Sequence, residues 1–336
     1  MVALWDTTGG EVVKRLAEER RSAGGVTSGL ALTLIVVTEE KRVAEAEAAA
    51  TIAAQQHPTR LLIVVRRNVL DADSRLDAEV IVGGRLGPCE AVVLRMQGRL
   101  ALHAESVALP LLAPDVPVVT WWHGAPPERI AYDPLGVVAD RRITDAAEGE
   151  DPVAALRQRA EDYAPGDTDL AWTRITPWRT LVAGAFDTAP AAPASARIAA
   201  PGSDPGAMLL AGWLSARLGV TPTVTGEGSR LSRVELDFPD SAQLALTSRN
   251  GTATLARTGV PDRVLPLLDR ALGEELAEEL GRLDADQPYA EALAAAAGVA
   301  GLNDRPARRE HIWHDPALAE RPEEPAVSGP AAGGAA

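Results

Sequence analysis

ALTLIVVT at Ala31–Thr38, the alanine- and glutamate-rich stretch Glu39–Gln56, and TRLLIVVR at Thr59–Arg66 decide the fold. The first and third pieces are nearly continuous apolar, β-branched runs, the pattern of strands buried on both faces. The piece between them forms a helix by intrinsic propensity and is closed by His57-Pro58. Strand, helix, strand in that order is the crossover unit of a parallel sheet.

Upstream, Val12, Val13, Leu16 and Ala17 recur at helical spacing, with Lys14, Arg15, Glu18 and Glu19 facing away. They predict an amphipathic helix ended by Gly24-Gly25. Downstream, Asp77–Val82 and Glu90–Met96 alternate as strands around a Gly-Gly…Gly-Pro turn. A helix over Arg99–Leu112 and a strand over Val116–Trp122 follow. From Gly124 to Pro193 the chain is rich in Pro, Gly and Asp, with two short helices expected at Pro152–Tyr163 and Pro177–Phe186.

The second half repeats the theme. A strand at Ala196–Ala199 leads to a helix opened by Asp204-Pro205 and closed by Gly219. Val234–Phe238 reads as a strand, and Asn250-Gly251 joins Gln243–Ser248 to Thr252–Arg257 as a hairpin. Pro261 is expected to start a long helix carrying Val264, Leu265, Leu268, Leu272, Leu276, Leu280 and Leu283 on one side. Past Trp313 the composition turns to Pro, Ala, Gly and Glu, which cannot bury enough apolar surface to order itself. The expectation is an α/β protein of two domains, each a mixed sheet with packed helices. Residues 1–162 form the first and 163–315 the second, with a Trp/Arg-rich segment at 163–187, a linker at 188–195 and a disordered tail at 316–336.

Composition narrows the function. Lys and Arg total 33 against 47 Asp and Glu, a net charge of -14. A phosphate-rich partner calls for a basic surface, so nucleic acid is not expected. Cys89 is the single cysteine, so an intramolecular disulfide and cysteine-based zinc clusters are excluded. No apolar run reaches the roughly 20 residues that span a bilayer, and Met1–Gly10 lacks the basic start and apolar core of a secretory signal. The expectation is a cytoplasmic protein with no membrane partner.

Sites of chemistry are weak. Gly83-Gly84-Arg85-Leu86-Gly87 follows a strand but lacks the Lys-Ser/Thr of a phosphate loop and runs into another strand, so a plain turn is favoured. His311 and His314 have ligand spacing but sit beside the tail. His103, Glu105 and Ser106 share one expected helix and read as a surface group, not a nucleophilic site. Neither a catalytic residue, nor a metal, nor a cofactor is expected.

YAPGDTDLAWTRITPWR at Tyr163–Arg179 is the unusual stretch, gathering Asp167, Asp169, Trp172, Arg174, Trp178 and Arg179. Arg141, Arg142 and Asp145 lie shortly before it. Trp and Arg anchor protein interfaces because they join large area to directional donors. Three readings stand together. The tryptophans pack between domains while the aspartates cap helices; or the segment is a partner interface; or the arginines clamp a sugar phosphate. Trp121 and Trp122 in WWHG at a strand end join these candidates, with one ring expected inside and one outside.

RRITDA at Arg141–Ala146, YAPGDTDLAWTR with TPWR after it, and WWHG together resemble the OpcA family of glucose-6-phosphate dehydrogenase assembly proteins. Thr7-Thr8 and LDADQPYAEAL at Leu283–Leu293 extend the likeness from about Asp6 to Gly298. The resemblance implies a non-catalytic assembly factor or allosteric activator that binds glucose-6-phosphate dehydrogenase in the oxidative pentose phosphate pathway. It carries over no catalytic residue. In some relatives, cysteines are thought to connect the protein to thioredoxin control, which Cys89 alone cannot do through an internal disulfide. The alternative, of a different class, is a small-molecule sensor that binds a sugar phosphate or nucleotide between the domains.

Overall fold

The two apolar runs lie side by side, parallel and in register from Leu32↔Thr59 to Thr38↔Val65, in the middle of an eight-stranded sheet. The computed structural model describes residues 1–23, 29–83, 90–186 and 191–307. In chain order the sheet holds β1 (Val2–Leu4), β2 (Leu32–Thr38), β3 (Thr59–Arg66), β4 (Arg75–Val82), β5 (Glu90–Gln97), β6 (Val118–His123), β7 (Arg141–Thr144) and β8 (Asp167–Asp169). Across the sheet they run β1-β4-β5-β3-β2-β6-β7-β8. From β5 to β8 every pairing is parallel; β4 and β1 add an antiparallel edge.

Helices cover both faces, which is why the central strands carry no polar alternation. On one face α1 (Gly9–Ser22) and the short α4 (Ala104–Ala108) bring Val12, Leu16 and Val107 onto Ile35, Leu62 and Val64. On the other, α2 (Val43–Ala54) lays Ala46, Ala49, Ala50 and Ala53 on Leu34, Leu61 and Ile63. The helix expected over Arg99–Leu112 is broken: α3 (Arg99–Leu102) stops where His103 leaves helical geometry (φ -110, ψ 43), and α4 starts afresh. After β6 come α5 (Pro134–Val137), α6 (Pro152–Asp162), α7 (Leu170–Arg174) and α8 (Thr176–Phe186). β7 and β8 fall in the stretch expected to be loop-rich, so the first sheet takes its last strand from beyond residue 162.

The second sheet is built of β9 (Ser195–Ala199), β10 (Thr223–Val224), β11 (Arg233–Asp237), β12 (Gln243–Arg249), β13 (Thr252–Arg257) and β14 (Val260–Pro266), ordered β10-β9-β11-β12-β13-β14. Asn250 (φ 52) and Gly251 (φ 76) both take the left-handed conformation that a two-residue hairpin needs, as the Asn-Gly pair predicted. One face packs on α9 (Pro205–Leu218) and α11 (Gln287–Ala297) through Ile198, Val234, Leu236, Leu244 and Leu246. The helix expected from Pro261 is not there. Residues Val260–Pro266 are an edge strand, and α10 (Leu272–Leu280) begins only later. Gly259 (φ 76) turns the chain back before Pro261, and an edge strand tolerates prolines that a central one does not.

α10 then crosses to the first sheet, setting Leu276, Ala277 and Leu280 on α2. Gly273 permits this: a Cβ there would lie 2.6 Å from the Ile52 Cβ and 2.9 Å from the Ala49 carbonyl oxygen. The second half of the chain thus supplies part of the first sheet's cover, and the Trp/Arg-rich segment lies between the two sheets. The tail, Cys89, Gly84–Gly87, His311 and His314 lie outside the described residues, as do residues 188–190 of the expected linker. Among the described residues, no helix is long and apolar enough to cross a membrane.

Candidate functional site

β7 and β8 are strands that carry charge in place of hydrocarbon. Arg141 is fully buried, and its Nη2 donates to Glu279 of α10 at 2.5 Å, also fully buried. Its Nη1 donates to the Asp284 carbonyl at 2.7 Å, while Thr173 donates its hydroxyl to the other Glu279 oxygen at 2.6 Å. Burying two ions is repaid only when geometry and extra hydrogen bonds are good; here each partner makes a second hydrogen bond, and the buried Arg141 Nε alone of that guanidinium's nitrogens has no partner among the described residues. Arg142, pointing the opposite way from the strand, pairs with Asp167 and donates to the Ala139 and Pro165 carbonyls.

The aspartates are caps. Asp145 accepts from the Ala147 N–H; Asp169 accepts from Ala171 N–H, Ala146 N–H and the Thr144 hydroxyl. Each satisfies the open donors at the start of a short helix. Arg174 then forks onto Asp145, with Nη1 at 2.8 Å from Oδ1, and sends its Nε to Glu275 at 3.1 Å. Trp172 is fully buried, donates its indole N–H to Asp286 at 2.9 Å and packs on Tyr289 with centroids 5.9 Å apart. The Arg179 guanidinium stacks 3.4 Å above the Trp172 ring, and burial lowers its pKa to about 10.

Every residue from Asp162 to Arg179 is buried or half-buried. These side chains pack and cap: Arg141 and Trp172 reach the helices of the second half through Glu279 and Asp286, Trp178 and Arg174 line the cleft between the sheets, and Arg142 and Asp167 pair on the opposite side of β7. Trp121 and Trp122 stand apart from them, and both are buried, at 0% and 1% exposure. The expectation of one outward ring fails because helices cover both faces of the sheet. His123, after them, sits between Glu45 (3.1 Å) and Glu148 (3.4 Å). Neither glutamate is near it in sequence, so no motif marks this contact. His103 and Ser106 form no nucleophile pair: the Ser106 hydroxyl donates to the His103 carbonyl.

Beside Arg174 a cleft of about 300 Å³ opens between the sheets, lined among others by Trp178, Arg230, Leu268 and Arg270. Three carboxylates, Asp145, Asp169 and Glu275, surround Arg174. Burial, with the Asp145 charge adding to it, lifts Asp169 to about 6, and burial lifts Glu275 to about 7 against the pull of Arg174. Both lie above their ordinary values of 3.8 and 4.5, so the folded chain holds protons that the unfolded chain has lost. Stability from these groups is complete below about pH 4 and is lost as pH rises through 6 and 7, at up to about 1.4 kcal/mol per pH unit for each group. Urea unfolding between pH 5 and 8 should therefore show a falling midpoint, and Glu275→Gln should flatten the fall. Equal slopes for both proteins would remove Glu275 as its source.

Among the described residues no group of His, Cys, Asp or Glu is placed to hold a metal ion. Two family profiles match the chain, and both are described as parts of a glucose-6-phosphate dehydrogenase subunit. Residues 50–161 match the profile of its N-terminal domain, and residues 165–293 match that of its C-terminal domain. Over 161 residues the chain is 28% identical to the putative OxPP cycle protein OpcA of Synechococcus elongatus, covering 45% of this chain and 36% of that protein. Over 143 residues it is 29% identical to the protein of the same name from Synechocystis, covering 40% and 30%. The matched region is about a third of the length of these relatives. No solved structure matches the chain.

Proposed function

We propose that this chain, which belongs to the OpcA family, is a non-catalytic partner that binds glucose-6-phosphate dehydrogenase and supports its assembly or activity. The observation that carries the reading is the match of both halves of the chain to domains described as belonging to a subunit of that enzyme. A partner of this kind activates an enzyme only by binding its active state more tightly than its inactive one.

The contact we propose is the rim of the cleft beside Arg174. Leu268, 71% exposed, stands on that rim, and Val264, 69% exposed, stands on the neighbouring edge strand. With Arg230 they combine exposed apolar area and a guanidinium, the composition of an interface anchor. Changing Leu268 and Val264 together to Asp should weaken association with the dehydrogenase by at least about tenfold, roughly 1.4 kcal/mol, without lowering the melting temperature. Unchanged affinity would remove the rim from the interface.

The sensor reading has less behind it. A sugar phosphate between the sheets would use the arginines of the cleft, and each is engaged: Arg174 by Asp145 and Glu275, Arg230 by Asp269 at 2.7 Å, Arg270 by Glu278.

A further inference from the structure

The order β5-β3-β2-β6-β7-β8 reverses direction between β2 and β6, and in open parallel sheets ligands gather beyond the strand ends at such a reversal. Here that crevice is closed. The Thr38 hydroxyl donates to the His123 carbonyl at 2.9 Å, the His123 ring lies between Glu45 and Glu148, and Arg42 reaches Glu148 at 2.5 Å. Glu39, Glu40 and Glu45 lie around the start of α2, where a phosphate would otherwise find the helix dipole.

One strand further on, the edge opens into a cavity of about 330 Å³. Its walls are the loop after β6, the turn after β7, Asp169 at the end of β8, and Ala155 and Arg159 of α6. Arg159 is 6% exposed. Its Nη2 donates to the Pro127 and Glu128 carbonyls at 3.1 and 2.7 Å, whereas its buried Nη1 has no hydrogen-bond partner among the described residues. Asp162 and Asp167 are close enough to feel its charge, but neither accepts from it. A buried charged donor without an acceptor is costly, so a ligand that brings an acceptor recovers that cost on binding.

We propose that this cavity binds a small organic monocarboxylate, with Arg159 Nη1 as its donor. The carboxylates facing the cavity are already engaged: Asp169 by Thr144 and two backbone N–H groups, Asp145 by Arg174, Glu148 by Arg42 and His123. They therefore do not claim Arg159. Glu128 and Glu150 at the rim repel a dianion about twice as strongly as a monoanion, which favours a monocarboxylate over a phosphate ester. Ala125, Pro126, Ala146 and Ala155 give the body of the ligand an apolar wall.

The test is calorimetric titration of the full chain with benzoate and, separately, with inorganic phosphate. Saturable benzoate binding is expected, with phosphate weaker. Arg159→Met should reduce benzoate affinity by about tenfold or more, from the loss of one charge-assisted bond. Ala155→Leu keeps the guanidinium and fills the cavity, and should do the same in a chain whose melting temperature matches the parent. The proposal is overturned if the parent chain shows no saturable benzoate binding, if phosphate binds more tightly, or if Ala155→Leu binds benzoate as the parent does.

Discussion

Arg141→Met is expected to lower the unfolding free energy by about 3–5 kcal/mol, the cost of leaving a buried ion without its partner. Arg141 and Glu279 are both fully buried, and they tie β7 of the first sheet to α10, which arrives from beyond the second. Removing the guanidinium leaves Glu279 with the Thr173 hydroxyl as its remaining hydrogen-bond partner and frees the Asp284 carbonyl. Since whole domains are stable by only about 5–15 kcal/mol, the single change should shift the urea midpoint far to the left. Adding Glu279→Gln removes the stranded charge while keeping an acceptor for Thr173, so the double variant should recover a large part of the loss. A single-variant loss below about 1 kcal/mol, well under the range for a broken buried pair, would mean that the pair holds nothing together.

Trp172→Ala should cost a similar amount, about 3–5 kcal/mol, through the cavity left by a buried indole. The ring packs on Tyr289, lies beneath Arg179 and donates to Asp286. Asp286 also caps α11 by accepting from the Tyr289 N–H at 2.9 Å, so truncation loosens the start of that helix as well. Trp172→Phe keeps part of the packing and loses the hydrogen bond, and should fall between parent and alanine variant in thermal melts. If the three proteins melt together, Trp172 does not join the two halves of the chain. Because Trp172 is interior, its variants report stability, and binding is better tested at Leu268 and Val264.

Both consequences trace to residues whose role is only partly legible in the sequence. β2 and β3 can be read because a strand covered on both faces is apolar throughout, and the Asn250-Gly251 hairpin because its backbone demands those residues. β7 and β8 cannot: Arg141, Arg142, Asp167 and Asp169 carry no hydrophobic period, since buried ion pairs and capping hydrogen bonds do there what side-chain hydrocarbon does elsewhere. β14 departs from its expected helix for the opposite reason. Val264, Leu265, Leu268 and Leu272 fit a helical spacing by coincidence, while Thr258-Gly259 supplies the turn that makes the segment a strand. The Trp/Arg segment stands out by composition alone, and burial is what separates its three readings. Arg159 gives no signal, because an arginine in an RQR helix reads as a solvated face; the cavity beside it depends on the placement of three strand ends.

The partner proposed for this chain is glucose-6-phosphate dehydrogenase. The most direct test is the sedimentation mass of that enzyme from the same organism, alone and with increasing amounts of this chain, with activity followed in parallel. Association predicts a saturable rise in mass containing both proteins, together with a change in the enzyme's oligomeric state or turnover. An enzyme that sediments and turns over identically at every ratio would contradict it.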